Sequence, residues 1–238
     1  MDTEVLLEVE NVVGGYGEIQ VLSGVSFAVC RGEVATIIGA NGAGKSTTLK
    51  AIFGLVPVWS GTIRFEGQEI QNRSPKELLR RGIALVLQGR VNFPLMTVEE
   101  NLEMGAFLRS DPGVRQDIEA MYDRFPMLRE KRRELAGNLS GGQQQVLEMA
   151  MALMLHPKLL MLDEPSLGLS PRMMDEVFQT VLEIREQGVT VLMVEQNAKK
   201  ALSISDHAIV MDLGRKRFEG TGEAILHDPE VKRAYLGG

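Results

Sequence analysis

The sequence lacks most features of membrane-spanning, secreted and nucleic-acid-binding proteins. Cys30 is the single cysteine of the 238 residues, so no disulfide can form within the chain, and we expect a reducing cytosol. No apolar run approaches the roughly 20 residues that a bilayer span requires. The start, Met1 to Glu4, lacks the basic residues of a secretory signal. A net charge of −6 argues against nucleic-acid binding, which usually needs a basic surface.

Histidine is also scarce, and the three that occur show no metal-ligand spacing. His156, His207 and His227 are therefore expected at surface or turn positions. The chain contains no internal repeat and no low-complexity tract. Its length is sufficient for one domain with subdomains.

What the sequence does contain is a phosphate-binding pattern at residues 34–47. Val34 to Ile38 form a short apolar run typical of a buried strand in a parallel sheet. Three glycines follow within residues 39–44, and Lys45 opens a predicted helix that ends near Phe53. Glycines let backbone N–H groups surround a phosphate, and the N-terminus of the helix adds positive potential. The pattern therefore predicts a nucleotide-binding P-loop.

The P-loop pattern also assigns roles to individual residues. Lys45 is expected to reach the β- and γ-phosphates, and the Ser46 hydroxyl is positioned to ligate Mg²⁺. A glycine-rich turn without a ligand is the alternative, but the strand before it and the helix after it favour the P-loop. The predicted nucleotide contacts are Gly39, Ala40, Asn41, Gly42, Ala43, Gly44, Lys45, Ser46 and Thr47.

Strands and helices alternate around this motif, which predicts an α/β fold. The core is expected to be the parallel, doubly wound sheet of a P-loop NTPase (RecA-like). An N-terminal antiparallel β subdomain is predicted from strands at 6–9, 21–29 and 62–65. The remaining predicted strands lie at 34–38, 83–87, 159–162, 189–194 and 208–211.

Residues 89–138 differ from the rest because they carry no strand signal. Thr97 and Glu100 have the spacing of a capping box, which predicts a helix start. We interpret this region as a helical insertion. The expected organisation is a single domain with three parts: 1–88, with the antiparallel subdomain and the P-loop; 89–155, the helical subdomain; and 156–238, the remainder of the core.

Two further motifs predict chemistry. Ser140 precedes a helical run, and Gly141 and Gly142 expose backbone N–H groups, so Ser140 to Gln143 form a second candidate anion site. The apolar strand from Leu159 ends in Asp163 and Glu164. Asp163 is expected near the P-loop Mg²⁺, and Glu164 is expected to face the attacking water as general base.

With these motifs the chain resembles the ATP-binding subunits of ABC transporters over nearly its whole length. The resemblance implies that Tyr16 stacks on adenine and that Gln88 touches Mg²⁺ or water. It implies that two cassettes, identical or merely homologous, stack head to tail, with the signature at 139–143 of one meeting the ATP bound by the other. It also implies that the helical insertion docks on the cytoplasmic loops of membrane-spanning permease subunits. The chain would then act peripherally at the cytoplasmic face of the plasma membrane, with a periplasmic substrate-binding protein as an indirect partner.

Residues 39–45, 96–102, 165–171 and 194–198 resemble the importers of branched-chain (hydrophobic) amino acids in particular. Gln196 stands where the family usually has a switch histidine, and Ser170 stands where it usually has aspartate. Gln196 can donate a hydrogen bond to the γ-phosphate but carries no positive charge. The expected function is ATP hydrolysis that powers amino-acid uptake. A urea or short-amide importer is the runner-up, and a soluble non-transport ATPase is the third alternative.

Overall fold

The computed structural model describes residues 4–89 and 91–235. Residues 1–3, which belong to the acidic start considered above, lie outside the described residues. The strands are β1 Val5–Tyr16, β2 Ile19–Cys30, β3 Val34–Gly39, β4 Val58–Phe65, β5 Gln68–Glu69, β6 Ile83–Val86, β7 Leu159–Asp163, β8 Thr190–Val194, β9 His207–Asp212 and β10 Arg215–Gly220. The α-helices are α1 Lys45–Ile52, α2 Pro75–Arg81, α3 Val98–Gly105, α4 Val114–Arg124, α5 Pro126–Glu130, α6 Gly141–Leu153, α7 Pro171–Glu186, α8 Ala198–Ser203, α9 Gly222–His227 and α10 Pro229–Tyr235.

The first sheet is antiparallel, in the order β2-β1-β4-β5, which confirms the predicted N-terminal subdomain. β1 is longer than predicted because shifts in its register let it continue past Asn11 through two glycines. A Cβ atom at Gly14 would lie 2.5 Å from the carbonyl oxygen of Pro57, and one at Gly15 would lie 1.9 Å from that of Ile19. Glycine at these positions therefore permits the close approach of neighbouring backbones.

The second sheet has the order β10-β9-β3-β8-β7-β6. Five neighbouring strands of this sheet are parallel, as predicted: β9, β3, β8, β7 and β6. One edge carries an additional strand that was not predicted, β10, which pairs antiparallel with β9. β10 carries charged residues whose exposure alternates, so it gives no apolar signal in the sequence.

The parallel strands are buried on both faces, and β7 shows how. Leu159 and Met161 pack into the core shared with the first sheet and α1. Leu160 and Leu162 point to the opposite face, into the core formed with α6 and α7. Asp163 follows directly at the end of the strand. Because Asp163 is the last residue of β7, its carboxylate lies at the carboxyl edge of the sheet.

The helical insertion lies between β6 and β7 and contains α3 to α6. Thr97 and Glu100 form the predicted capping box at the start of α3, with the Thr97 N–H donating to Glu100 Oε2 at 2.7 Å. In the described part of the insertion, β pairing is confined to a single bridge between Thr97 and Leu135. Across the described ranges, no helix has both the length and the apolar character needed to cross a bilayer.

The histidines divide into two groups. His156 lies in a turn and His227 ends α9, both exposed, as predicted. His207 differs, because it begins β9 with its side chain only 19% exposed between Glu33 and Glu219. Glu33 is distant in the sequence, and Glu219 lies on β10, a strand that the sequence did not predict, so spacing alone did not indicate either contact.

Candidate functional site

Four predicted motifs meet at the carboxyl edge of the second sheet. The P-loop follows β3, Gln88 comes shortly after β6, Glu164 follows β7, and Gln196 comes shortly after β8. The carboxyl ends of neighbouring parallel strands meet at one edge, where ligands of open α/β sheets bind. In this protein the four motifs line a cleft of about 420 Å³. Its lining residues are Val21, Asn41, Gly42, Gly44, Lys45, Ser46, Thr47, Gln88, Glu164, Leu167 and Gln196.

The P-loop backbone has the conformation that its glycines were predicted to supply. Gly44 has φ +95° and Gly39 has φ +152°, where a Cβ atom would lie 2.1 Å from the carbonyl oxygen of Met211. Lys45 is nearly buried, and its Nζ donates to the carbonyl oxygens of Gly39 at 2.9 Å and Ala40 at 3.2 Å. The lysine is thus held against the loop that is predicted to carry the phosphates.

Ser46 and Asp163 connect the P-loop to β7. Ser46 Oγ donates to Asp163 Oδ1 at 2.6 Å. Asp163 is 2% exposed, and its Oδ2 has no hydrogen-bond partner among the residues that the structure describes. A buried carboxylate oxygen without a partner, beside a hydroxyl, suits Mg²⁺, which takes oxygen ligands and often only one or two from protein. The described ranges hold no cluster of three or more His, Cys, Asp or Glu side chains that could bind a metal ion.

Glu164 occupies an unusual backbone conformation directly after β7. Its φ is +50°, a left-handed value that costs a non-glycine residue free energy. Gln88 Nε2 donates to Glu164 Oε2 at 3.0 Å. Burial raises the pKa of the Glu164 carboxyl, and nearby Asp163 adds to the rise, while Lys45 opposes it. A carboxylate with a raised pKa accepts a proton more readily, as a general base requires.

Tyr16 lies at the end of β1 with 46% of its surface exposed. It is not among the residues that line the cleft, whereas Val21 of β2 is. An exposed ring can still stack on a base. The structure therefore leaves the predicted adenine contact of Tyr16 as a prediction.

The signature residues form a separate site at the start of α6. Ser140 and Gln143 make a capping box, in which the Ser140 N–H donates to Gln143 Oε1 at 3.0 Å. Of the signature residues 139–143, Gly141 lines a neighbouring cavity that also includes Gln88 and Glu164. The P-loop cleft is lined by none of them in the part of the chain described. One chain therefore presents two distinct candidate phosphate sites.

Sequence reasoning missed three buried polar residues near these motifs. Glu148 of α6 is 3% exposed, and its Oε1 accepts from the backbone N–H groups of Val91 at 2.9 Å and Asn92 at 3.3 Å. Asn101 of α3 is fully buried and accepts from the N–H of Phe93 at 2.8 Å. They hold the segment after Gln88. A charged residue within the apolar face of a predicted helix was the available signal for Glu148.

The third missed residue is Glu195, which is 1% exposed and follows β8. The signal was a carboxylate directly after an apolar strand, the same pattern that identified Asp163. One of its partners, Ser166, comes from the segment after Glu164, so only the fold reveals that contact.

Comparison with known proteins agrees with this geometry. Residues 22–167 match the protein family described as ABC transporter. The high-affinity branched-chain amino acid transport ATP-binding protein BraG of Pseudomonas aeruginosa is 45% identical over 98% of this chain and 100% of its own length. A probable branched-chain amino acid transport ATP-binding protein of Archaeoglobus fulgidus is 38% identical over 98% of this chain and 99% of its own.

A solved structure gives the same result for the fold. The crystal structure of the ADP conformation of an ATP-binding cassette of an ABC transporter superimposes with a TM-score of 0.87. That cassette is 33% identical and covers 99% of this chain and 100% of its own. The chain therefore belongs to the ABC transporter family, as an ATP-binding cassette that hydrolyses ATP.

Proposed function

We propose that the chain powers an importer of amino acids, either branched-chain or other neutral and hydrophobic ones. The observation that carries this proposal is the joining of the P-loop to the Asp163–Glu164 pair through Ser46. This geometry occurs in a chain whose full-length relatives are named for branched-chain amino acid transport. The relatives' names support the substrate class, and the site supports the use of ATP.

The geometry supports a division of roles during hydrolysis. Lys45 turns from the P-loop carbonyls to the β- and γ-phosphates, which offer a stronger charge partner. Glu164 takes a proton from the attacking water, and Gln88 holds the carboxylate through its amide. Gln196 donates from a neutral amide to the γ-phosphate, in place of the more common histidine.

Ser46 and Asp163 are the residues that would hold Mg²⁺, with Gln88 close to the same position. When bound, Mg²⁺ would supply positive charge that offsets the negative charge of the nucleotide phosphates. The unpartnered Asp163 Oδ2 within the described residues supports this assignment.

The two phosphate sites support a head-to-tail pair of cassettes. The start of α6 offers Ser140 and the backbone N–H groups of Gly141, Gly142 and Gln143. These residues would contact the ATP held by the P-loop of a second cassette, either a copy of this chain or a homologue. The neutral Gln196 favours a non-identical partner with histidine at that position.

An apolar groove supports contact with membrane-spanning permease subunits. The groove measures about 380 Å³ and includes Phe93, Phe107 and Met151. Phe93 is 41% exposed and Phe107 62% exposed. We assign a cytoplasmic loop of a permease subunit as its occupant, because Gln88, which lines the ATP site, and Phe93, which lines the groove, are close in the sequence. The chain would thus work at the cytoplasmic face of the membrane, fed indirectly by a periplasmic binding protein.

Glu148 supports this coupling, since it fixes the middle of the segment from Gln88 to Phe93 and lines both the groove and the cavity beside Glu164. Movement of the permease loop would therefore be transmitted to Gln88 through Val91 and Asn92, which are hydrogen-bonded to Glu148 of α6.

The test is uptake of labelled leucine and labelled urea by cells that lack the gene, complemented with the wild-type or the Glu164→Gln chain. We expect the wild-type chain to restore leucine uptake and the variant to fail at equal expression. Restored urea uptake without leucine uptake would favour the urea importer. Unchanged uptake of both would contradict an importer role for this chain.

A further inference from the structure

Glu195 is a buried carboxylate that the proposed hydrolysis mechanism does not use. It is 1% exposed, yet it accepts four hydrogen bonds. Ser166 donates its backbone N–H to Oε1 at 2.9 Å and its hydroxyl to Oε2 at 2.9 Å. Oε2 also accepts from the backbone N–H groups of Gln196 at 3.1 Å and Asn197 at 3.4 Å. Burial of a carboxylate is costly unless it is hydrogen-bonded, and these four hydrogen bonds offset that cost while joining Glu195 to two loops.

The donors come from the two loops that carry Glu164 and Gln196. Ser166 lies in the loop after β7, two residues beyond Glu164. Gln196 and Asn197 lie in the loop after β8. The Glu164 N–H also donates to the carbonyl oxygen of Val194 at 2.9 Å. The segment from Glu164 to Ser166 is thus attached at one end to the last residue of β8 and at the other end to Glu195, which follows it.

This double attachment coincides with the left-handed backbone of Glu164. A non-glycine residue remains in such a conformation only when its surroundings hold it there. Within the turn, the Leu167 N–H donates to the carbonyl oxygen of Glu164 at 3.1 Å. Glu164 is attached to β8 by a single backbone hydrogen bond, so the second attachment, at Ser166, adds to the contacts that keep the turn from relaxing. Relaxation would rotate the Glu164 side chain away from Gln88.

We propose that Glu195 is a positioning residue for ATP hydrolysis, which fixes Glu164 and Gln196 relative to each other. It acts through the backbone of both loops and does not touch the nucleotide. The inference goes beyond the transport proposal and requires only the ATPase activity of the family.

Glutamine cannot replace Glu195 in this role. If its amide oxygen takes the place of Oε2, its NH₂ group faces the N–H of Ser166, another donor. In the opposite orientation the NH₂ group faces the N–H groups of Gln196 and Asn197. Either way at least one buried backbone donor loses its acceptor.

The experiment measures kcat, KM for ATP and melting temperature of the purified full-length chain. We expect Glu195→Gln to lower kcat roughly 10-fold to 100-fold, since small displacements of reacting groups have effects of that size. KM should change less than about threefold, because the P-loop keeps its contacts. Glu195→Asp, which keeps the charge but withdraws the oxygens, should also lower kcat and serves if the glutamine variant does not fold.

Asp206 provides the matched control. Its Oδ2 also accepts a backbone N–H, that of Val34 at 2.9 Å, but at the amino end of β3. Asp206→Asn should lower the melting temperature and leave kcat unchanged. Ser166→Ala should lower kcat less than Glu195→Gln, and the two changes together should be less than additive.

A purely structural role predicts a different outcome. If Glu195→Gln or Glu195→Asp lowers the melting temperature but keeps wild-type kcat and KM, the proposal is overturned. Additive effects of Glu195→Gln and Ser166→Ala on kcat would also overturn it, since the two residues would then act independently.

Discussion

Replacing Asp163 by asparagine should separate stability from function at the candidate Mg²⁺ site. Asp163 is 2% exposed and has one oxygen bonded to Ser46 and one without a partner among the described residues. A buried acceptor without a partner costs about 1–3 kcal/mol, and more when it is charged. Lys45 donates to Gly39 and Ala40, so it keeps its hydrogen bonds when the charge at residue 163 is removed.

We therefore expect Asp163→Asn to stabilise the protein without nucleotide by about 1 kcal/mol, since a neutral amide is less costly to bury than a carboxylate and can still accept from Ser46, while its NH₂ group takes the position without a partner. For a chain of this length, about 1 kcal/mol corresponds to roughly 2–4 °C in melting temperature. The assay is thermal melting in EDTA, and then with ATP and Mg²⁺. In the second condition the wild-type chain should gain stability by ligand binding, and the variant should gain much less.

Ser46→Ala is the control, because it removes the hydroxyl that donates to Asp163 Oδ1 and keeps the buried charge. It should lower the melting temperature in EDTA, opposite in sign to Asp163→Asn. A lower melting temperature for Asp163→Asn in EDTA would refute the reasoning. So would equal stabilisation of the variant and the wild-type chain by ATP and Mg²⁺.

Two further predictions concern Gln196 and His207. Gln196→Ala should lower the ATPase rate of the assembled transporter several-fold, since a phosphate hydrogen bond contributes roughly 1 kcal/mol. Gln196→His should raise the rate or leave it unchanged. A wild-type rate for Gln196→Ala would contradict the contact between Gln196 and the γ-phosphate. Hydrogen bonding to Glu33 raises the pKa of His207 against the effect of burial, with Glu219 adding to the rise. The charged form therefore stabilises the fold fully below the unfolded pKa of about 6.5, and this contribution disappears as pH rises through the higher folded value. His207→Gln should cost roughly 1 kcal/mol in urea unfolding at pH 5.5 and less at pH 9, and a loss independent of pH would contradict the ion pairs.

Local signals in the sequence predicted the elements that depend on near neighbours. The capping box at Thr97 follows from residues three apart, and Ser140 precedes a helical run; both begin a helix as expected, and Ser140 does so through a capping box with Gln143. The P-loop and Asp163 follow apolar strands, so parallel-sheet topology was enough to bring them to one edge. Ser170 was noted only as a departure from the family pattern, yet it caps α7 through Met173.

Features that depend on the tertiary structure were not predictable in the same way. Glu195 and Glu148 are ordinary charged residues until the fold shows which backbone N–H groups they accept. The long β1 depends on Gly15, whose missing side chain leaves space for a neighbouring backbone. The antiparallel β10 carries few apolar residues, so its position beside β9 depends on pairing and not on burial.

The central claim is that this cassette hydrolyses ATP to move an amino acid across a membrane. The most direct test is ATP hydrolysis by the cassette assembled with its permease subunits in proteoliposomes, with the binding protein added. We predict that leucine together with the binding protein stimulates hydrolysis, and that Glu164→Gln abolishes the stimulated rate. Stimulation by urea in place of leucine, or a stimulated rate that survives Glu164→Gln, would contradict the account.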